Sequence, residues 1–212
     1  MGEFKSGFVA MLGRTNVGKS TLVNLLVGEK VAATAIKAIL NDENYQIIIT
    51  DTPGIHKPKT KLGETMVSTA FTMFAEVDVI LFLIEATSTE IGKGDRMILE
   101  KLKEAGKNTI LVINKIDLPN ADIPKVLKEL KEVLGFNEDE VILCSGKTGQ
   151  GVEDLIKAVI DRVPAPKINN DAPTRALVFD SHFDAYRGVI ALVRVFDGKI
   201  TSKDTMKMIA TT

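Results

Sequence analysis

The chain has 212 residues, of which 26% are charged and 45% are hydrophobic, and its formal net charge is −1. This composition argues against a disordered chain, and the net charge argues against general electrostatic binding of nucleic acid. The length suits one α/β domain of about 150–170 residues with a smaller appendage. The single cysteine excludes an internal disulfide framework, and the apolar runs are shorter than the ~20 residues that span a bilayer. We therefore expect a soluble, cytoplasmic protein without a membrane partner.

Short apolar runs flanked by turn residues predict buried strands in the first two-thirds of the chain. These runs lie at Phe8–Leu12, Ile47–Thr50, Val77–Ile84, Thr109–Ile113 and Val141–Leu143. Amphipathic or helical patterns separate them, at Thr21–Val27, Gly94–Ala105, Pro124–Leu134 and Val152–Val163. Alternation of this kind predicts an α/β fold with a mixed, mostly parallel sheet flanked by helices.

A stretch rich in proline and asparagine, residues 164–173, predicts an exposed linker. It places a first domain at 1–163 and a second segment at 174–212. In that segment strand patterns lie at Arg175–Phe179, Val189–Val195 and Thr205–Ile209, and Asp197-Gly198 is a hairpin turn signal into Lys199–Ile200. We predict a small, incomplete all-β, barrel-like segment. Its open strand edges make a homo-oligomer formed through 174–212 a further hypothesis.

Residues 13–20 read G-R-T-N-V-G-K-S and match the pattern G-x-x-x-x-G-K-[ST] between a predicted strand and a predicted helix. Backbone N–H groups of this loop and the start of the helix are expected to surround a β-phosphate. Lys19 is expected to bridge the β- and γ-phosphates, and Ser20 to offer its hydroxyl to Mg²⁺. The predicted phosphate-binding residues are Asn16, Val17, Gly18, Lys19, Ser20 and Thr21.

The tetrapeptide Asp51-Thr52-Pro53-Gly54 follows the second predicted strand. We predict that Asp51 holds a magnesium-bound water and that the Gly54 N–H meets the γ-phosphate. Taken alone, this sequence fits an ordinary turn equally well, and its place downstream of the phosphate loop favours the functional interpretation. Lys19, Ser20 and Gly54 are therefore the predicted catalytic residues.

Asn114-Lys115-Ile116-Asp117 follows another predicted strand and fits a guanine site. A carboxylate such as Asp117 can accept hydrogen bonds from both N1–H and the 2-amino group of guanine, a pair that adenine lacks. Asn114 is expected to tie this loop to the phosphate loop, and the Lys115 stem to lie along the base. Further on, the backbone of Ser145 and Gly146 is expected near guanine O6, with Lys147 over the other face. We interpret the neighbouring Cys144 as a small packing residue without a redox role.

Two parts of the chain resemble known GTPase families. Over about residues 5–140 the chain resembles the GTPase domain of Era, a bacterial ribosome-assembly GTPase, through its motifs at 13–20, 31–33, 51–59 and 114–117. From about 141 to 212 it resembles LepA, a translational GTPase, through segments 145–149, 162–166 and 176–184. The resemblance implies a GTP phosphohydrolase joined to part of a translation-factor second domain at 174–212. Our interpretation of this join is an engineered chimera.

The chain departs from the Era pattern around Ala33–Ile36. Era-type domains carry there a mobile switch I loop with a magnesium-binding threonine, and about eight to ten residues of that loop are missing. The loop is either deleted or present in the protein and merely unobserved. The sequence leaves both readings open.

Two residues bear on the expected rate of GTP hydrolysis. Ile55 stands where many GTPases carry a glutamine that orients water, so we expect slow turnover. Asn16 resembles a potassium ligand of Era-like GTPases, which makes K⁺ a candidate second cation. The alternative function is an engineered nucleotide-binding scaffold without useful turnover, which tests domain fusion and self-association. We do not expect ribosome or RNA binding, because the RNA-binding domains of both families are absent.

Overall fold

The computed structural model describes residues 4–27, 37–51, 77–88, 90–104, 106–166, 169, 171–205, 207 and 209. The chain divides into two compact units, residues 1–165 and 166–212. The first contains the candidate phosphate and base motifs. The assignment of the second to a translation-factor domain remains a prediction.

The first unit is built on a six-stranded sheet. The strands are β1 Lys5–Gly13, β2 Lys37–Asn41, β3 Tyr45–Asp51, β4 Val79–Glu85, β5 Thr109–Asn114 and β6 Val141–Leu143. Their order in the sheet is β2-β3-β1-β4-β5-β6. The described helices are α1 Lys19–Val27, α2 Lys93–Glu104, α3 Ile123–Leu134 and α4 Val152–Arg162, with a 3₁₀ turn at Glu138–Glu140. Only the pairing of β2 with β3 is antiparallel among these strands. The predicted α/β fold with a mostly parallel sheet is confirmed.

Both faces of this sheet are buried. Val9 and Met11 of β1 belong to a hydrophobic cluster on one face, and Ala10 and Leu12 belong to a second cluster on the other. Successive side chains of a strand point to opposite faces, so a strand covered on both sides must be apolar at every position. This explains why the strands are uniformly apolar runs in the sequence.

The parallel strands bring their carboxyl ends to one edge of the sheet. Met11 pairs with Asp51, Gly13 pairs with Leu83, and Glu85 pairs with Asn114 across neighbouring strands. In open α/β sheets, ligands bind outside the carboxyl ends of the strands. The motifs at 13–20, 51–54 and 114–117 therefore begin at the edge where a ligand is expected.

The described residues of the second unit form one antiparallel pair, β7 Arg175–Asp184 and β8 Gly188–Asp197. The turn between them lies at 185–187, where the Asp184 carboxylate accepts hydrogen bonds from the N–H groups of Tyr186 (2.9 Å) and Arg187 (2.8 Å). The bond from Arg187 and then that from Tyr186 lower the pKa of Asp184. An aspartate that caps a turn in this way is a recognisable sequence signal, and the sequence analysis did not use it.

The predicted hairpin at Asp197-Gly198 and the strand at Thr205–Ile209 are wrong for the part of this region that the structure describes. Residues 198–205, 207 and 209 form no strand. Instead, the Gly198 N–H donates to the Asn169 carbonyl (2.9 Å), and the Thr174 hydroxyl donates to the Lys199 carbonyl (3.0 Å). The chain after β8 thus bonds to residues that precede β7, which replaces the pairing with a further strand.

Candidate functional site

The loop between β1 and α1 has the backbone of an anion-binding turn. Gly13 has φ 146°, Asn16 has φ 66° and Gly18 has φ 95°. Left-handed residues within such a loop turn successive N–H groups toward one side, where they can bind an anion. A side chain at Gly13 would place its Cβ 2.6 Å from the Leu83 carbonyl oxygen, so only glycine fits there. Val17 is buried, and α1 begins directly at the end of the loop.

Lys19 holds a buried positive charge inside this loop. Lys19 is 7% exposed, and its Nζ donates to the carbonyl oxygens of Gly13 (3.0 Å) and Arg14 (2.8 Å). Ser20 and Thr21 follow in the first turn of α1 and are exposed. A fixed ammonium beside a helix N-terminus creates a local positive field suited to a phosphate.

An ion pair joins the phosphate loop to α2. Arg14 Nε lies 3.0 Å from Asp95 Oδ2, and the Arg14 guanidinium also contacts the Ser88 hydroxyl at 3.5 Å. Burial raises the pKa of the Asp95 carboxyl, and the charge of Arg14 opposes that rise. This pair could not be predicted from the sequence, because no spacing rule connects a loop residue to a helix so far along the chain.

Asn114 connects three segments of the site through one buried side chain. Its Nδ2 donates to the Val17 carbonyl at 2.8 Å, and its Oδ1 accepts from the Gly146 N–H at 3.0 Å. The residue is 1% exposed. A Cβ at Gly18 would collide with Nδ2, and Gly18 has φ 95°, so glycine is required at that position of the phosphate loop. The structure therefore brings together the phosphate loop, the 114–117 loop and the 145–147 loop.

The Asp117 carboxylate is oriented by Ser145. The Ser145 hydroxyl donates to Asp117 Oδ1 at 2.7 Å, and it accepts from the N–H groups of Lys147 (3.2 Å) and Thr148 (3.0 Å). Ser145 is fully buried, whereas Lys147 is exposed. Because two N–H groups hold the Ser145 hydroxyl in place, the hydroxyl in turn holds the Asp117 carboxylate in one orientation. A carboxylate that is oriented before binding favours a ligand whose hydrogen-bond donors match that orientation.

Cys144 packs under the same loop. Its thiol donates to Asn114 Oδ1 at 3.5 Å, and burial raises its pKa to about 12. The reactive form of cysteine is the thiolate, so this group is protonated and unreactive near neutral pH. These features agree with a packing role.

Several predicted site residues lie outside the residues that the structure describes, or have only their backbone described. Gly54 is outside the described residues, as are Ile55 and the positions around Ala33–Ile36. Asp51 ends β3 beside Met11, and only its backbone is described. Within the described ranges, no cluster of three or more His, Cys, Asp and Glu residues could hold a metal ion. The donors predicted for Mg²⁺ are a hydroxyl and a carboxylate, hard oxygen ligands that suit this ion.

Comparison with known proteins agrees with this arrangement. The family described as "50S ribosome-binding GTPase" matches residues 8–115. The chain belongs to this family. GTPase Era from Caldanaerobacter subterraneus subsp. tengcongensis is 45% identical over 76% of the chain and 56% of the relative. GTPase Era from Alkaliphilus metalliredigens is 42% identical over 83% of the chain and 64% of the relative. The chain spans little more than half the length of such curated relatives.

A solved structure supports an Era-type GTPase domain and corrects one expectation. Era in complex with MgGDPNP and nucleotides 1506–1542 of 16S ribosomal RNA has a TM-score of 0.64 and 35% identity, covering 76% of this chain and 58% of that chain. Our expectation that ribosome or RNA binding is absent is wrong, because this Era-type relative is bound to ribosomal RNA. That expectation was argued from a chain that spans 58% of the Era chain in this complex.

A translation factor shares the fold over nearly the whole chain. The bacterial selenocysteine-specific elongation factor EF-Sec has a TM-score of 0.65 at 20% identity, covering 95% of this chain and 36% of that chain. This likeness shows the fold alone. The LepA resemblance and the chimeric origin remain predictions.

Among the described helices, none has the length and apolar character needed to cross a membrane.

Proposed function

We propose that this chain binds guanine nucleotide with Mg²⁺ and hydrolyses GTP to GDP and phosphate. The observation that carries the proposal is the Asn114 side chain, whose amide bonds the phosphate loop at Val17 and the base loop (residues 145–147) at Gly146. A single buried residue thus sets the distance between a phosphate-binding loop and a base-binding loop. A nucleoside phosphate needs both loops at once, one for its phosphates and one for its base.

Asp117 selects the base in this proposal. Ser145 orients one carboxylate oxygen, and the carboxylate accepts hydrogen bonds from N1–H and the 2-amino group of guanine. Adenine presents no such pair of donors, and a partly buried acceptor left without its donors is costly. The backbone of Ser145 and Gly146 approaches O6, and Lys147 covers the outer face of the base.

The phosphate loop supplies most of the charge neutralisation for hydrolysis. Its N–H groups bind the β-phosphate, and Lys19 contacts the β- and γ-phosphates. Ser20 and Asp51 would hold Mg²⁺, Asp51 through a water. When bound, the ion neutralises charge on the β- and γ-phosphate oxygens. Gly54 offers its N–H to the γ-phosphate.

We propose that turnover is slow. Ile55 follows Gly54 in the sequence, and an apolar side chain cannot orient the attacking water. The alternative is a nucleotide-binding scaffold without turnover. For the longer type of protein to which the relatives belong, 16S ribosomal RNA is a partner to test, since an Era relative is solved with it.

Nucleotide binding and single-turnover hydrolysis test this proposal together. A fluorescent mant-GDP should bind and be displaced by GDP but not by ADP, and GTP should release phosphate at a rate on the order of 10⁻³ s⁻¹ or below. A Lys19→Ala variant provides the inactive control. Failure to bind mant-GDP would refute the proposal, and binding without phosphate release in any cation would leave the scaffold alternative.

Potassium is expected to speed hydrolysis by about tenfold relative to sodium, because a cation near the phosphates can replace an arginine finger. The matched variant is Asn16→Gly. Asn16 has φ 66°, a conformation that glycine adopts without strain, so this change removes the side chain and keeps the loop. We expect stimulation by KCl in the original chain and none in the variant. Equal rates in KCl and NaCl would reject the potassium site.

A further inference from the structure

We propose that Glu85 is a positioning residue for the base site: its carboxylate holds the Lys115 ammonium, so that the lysine stem is ordered before nucleotide binds. The inference rests on the proposed guanine-nucleotide binding and adds a residue outside the sequence motifs. Lys115 Nζ lies 2.7 Å from Glu85 Oε1. The two side chains are 30% and 24% exposed, so this pair is partly shielded from water.

The backbone places Glu85 directly beside the 114–117 loop. Glu85 is the last residue of β4 and pairs with Asn114, the last residue of β5. The next residue, Ala86, donates its N–H to the Asn114 carbonyl at 2.8 Å. The strand end that carries the carboxylate is therefore bonded to the strand end that carries the lysine. The two side chains therefore start from adjacent positions at this edge of the sheet.

The second oxygen of Glu85 is also engaged. The Thr87 hydroxyl donates to Glu85 Oε2 at 3.2 Å. A carboxylate with one oxygen on a hydroxyl and the other on an ammonium has little freedom to rotate. Glu85 therefore acts as a fixed anchor for Lys115.

The other end of Lys115 is constrained as well. Its backbone has φ 64°, a left-handed conformation that is uncommon for a residue with a side chain. Along the stem, a Cβ built on Gly18 would lie 3.9 Å from Lys115 Cε, so the stem runs past the phosphate loop. Backbone, phosphate loop and Glu85 together define one path for the lysine. A long lysine stem otherwise loses considerable rotamer entropy when it is ordered.

This arrangement changes what Lys115 contributes to the site. With its charge matched by Glu85, the lysine presents an ordered apolar stem that can lie against a purine ring. Ordering this stem in advance lowers the entropic cost of nucleotide binding. Recognition of the ring by the stem does not depend on the 2-amino group, which is the task of Asp117.

The test is the rate at which mant-GDP dissociates when chased with excess GDP. In Glu85→Gln the rate should rise about threefold to fivefold, the range expected for a partly exposed ion pair. The same factor should apply to mant-IDP, whose base lacks the 2-amino group. In a Lys115→Met background, Glu85→Gln should change the rate by less than about 1.5-fold, because its partner is gone.

Glu129→Gln is the matched control. Glu129 forms an ion pair with Arg96 at 2.7 Å and accepts from the Ile91 N–H at 2.9 Å, so its replacement disturbs a pair of similar exposure between α2 and α3. It should leave nucleotide release unchanged, even if it lowers the melting temperature. Glu85→Gln should speed nucleotide release.

Three outcomes would overturn the inference while leaving the proposed function intact. They are an unchanged dissociation rate in Glu85→Gln, an equal effect with and without Lys115, and an effect that differs between GDP and IDP. If the unmodified chain fails to bind mant-GDP at all, the proposed function itself fails, and the two failures are thereby distinguished.

Discussion

Replacing Asp117 by asparagine is expected to weaken GDP binding by about 10²–10³-fold and to strengthen binding of xanthosine diphosphate. Aspartate offers two acceptors, which match the two donors of guanine. Asparagine offers one acceptor and one donor. Xanthine carries a carbonyl where guanine carries the 2-amino group, so the new donor gains a partner there. Ser145 can still donate to the Oδ1 of the asparagine, since that atom remains an acceptor, and the loop should keep its shape.

Displacement of mant-GDP by GDP and of mant-XDP by XDP measures the loss of affinity for GDP and the gain of affinity for XDP. Asp154→Asn serves as the control, because Asp154 is exposed on α4 and loses the same charge outside the base site. The control should leave both affinities within about twofold, as expected for an exposed substitution. An Asp117→Asn variant that keeps the original preference for GDP over XDP would show that Asp117 does not read the base edge.

The fold and most motif positions could be predicted from local sequence. The strands are continuous apolar runs because both sheet faces are covered. Each run can be recognised in the sequence of its own strand, without knowledge of the neighbouring strands. The phosphate loop follows from the glycines at 13 and 18, whose backbone conformations and close contacts admit no side chain. Parallel pairing then brings the loops to one edge without further information.

The contacts that refine the site could not be predicted in the same way. Glu85 and Lys115 are 30 positions apart, and nothing in their local sequences marks them as partners. Arg14 and Asp95 form a pair for the same tertiary reason. The hairpin predicted at Asp197-Gly198 is wrong, and the turn after β7 is closed by the Asp184 carboxylate, a contact for which no prediction was made. Interactions between distant side chains depend on the folded geometry and not on spacing.

Asn114 is the residue whose loss should cost most in both stability and binding. In Asn114→Ala, the Val17 carbonyl and the Gly146 N–H lose their partner in a buried site, and each such group costs about 1–3 kcal/mol. We expect the free energy of unfolding to fall by about 2–4 kcal/mol. GDP binding should fall with it, because the phosphate loop and the base loop are no longer held together.

Asn114→Asp separates the role of the amide from that of side-chain volume. The aspartate keeps an oxygen for the Gly146 N–H but places a second oxygen against the Val17 carbonyl, so a buried donor is replaced by a buried acceptor. This variant should be at least as unstable as the alanine variant, despite its nearly unchanged size. Asn108→Ala is the matched control, since Asn108 is exposed and its side-chain amide donates to the Arg162 carbonyl at 3.0 Å. Denaturant unfolding of the nucleotide-free protein should show a loss below about 1 kcal/mol for the control. An aspartate variant as stable as the original chain would mean that the donated hydrogen bond to Val17 does not hold the two loops together.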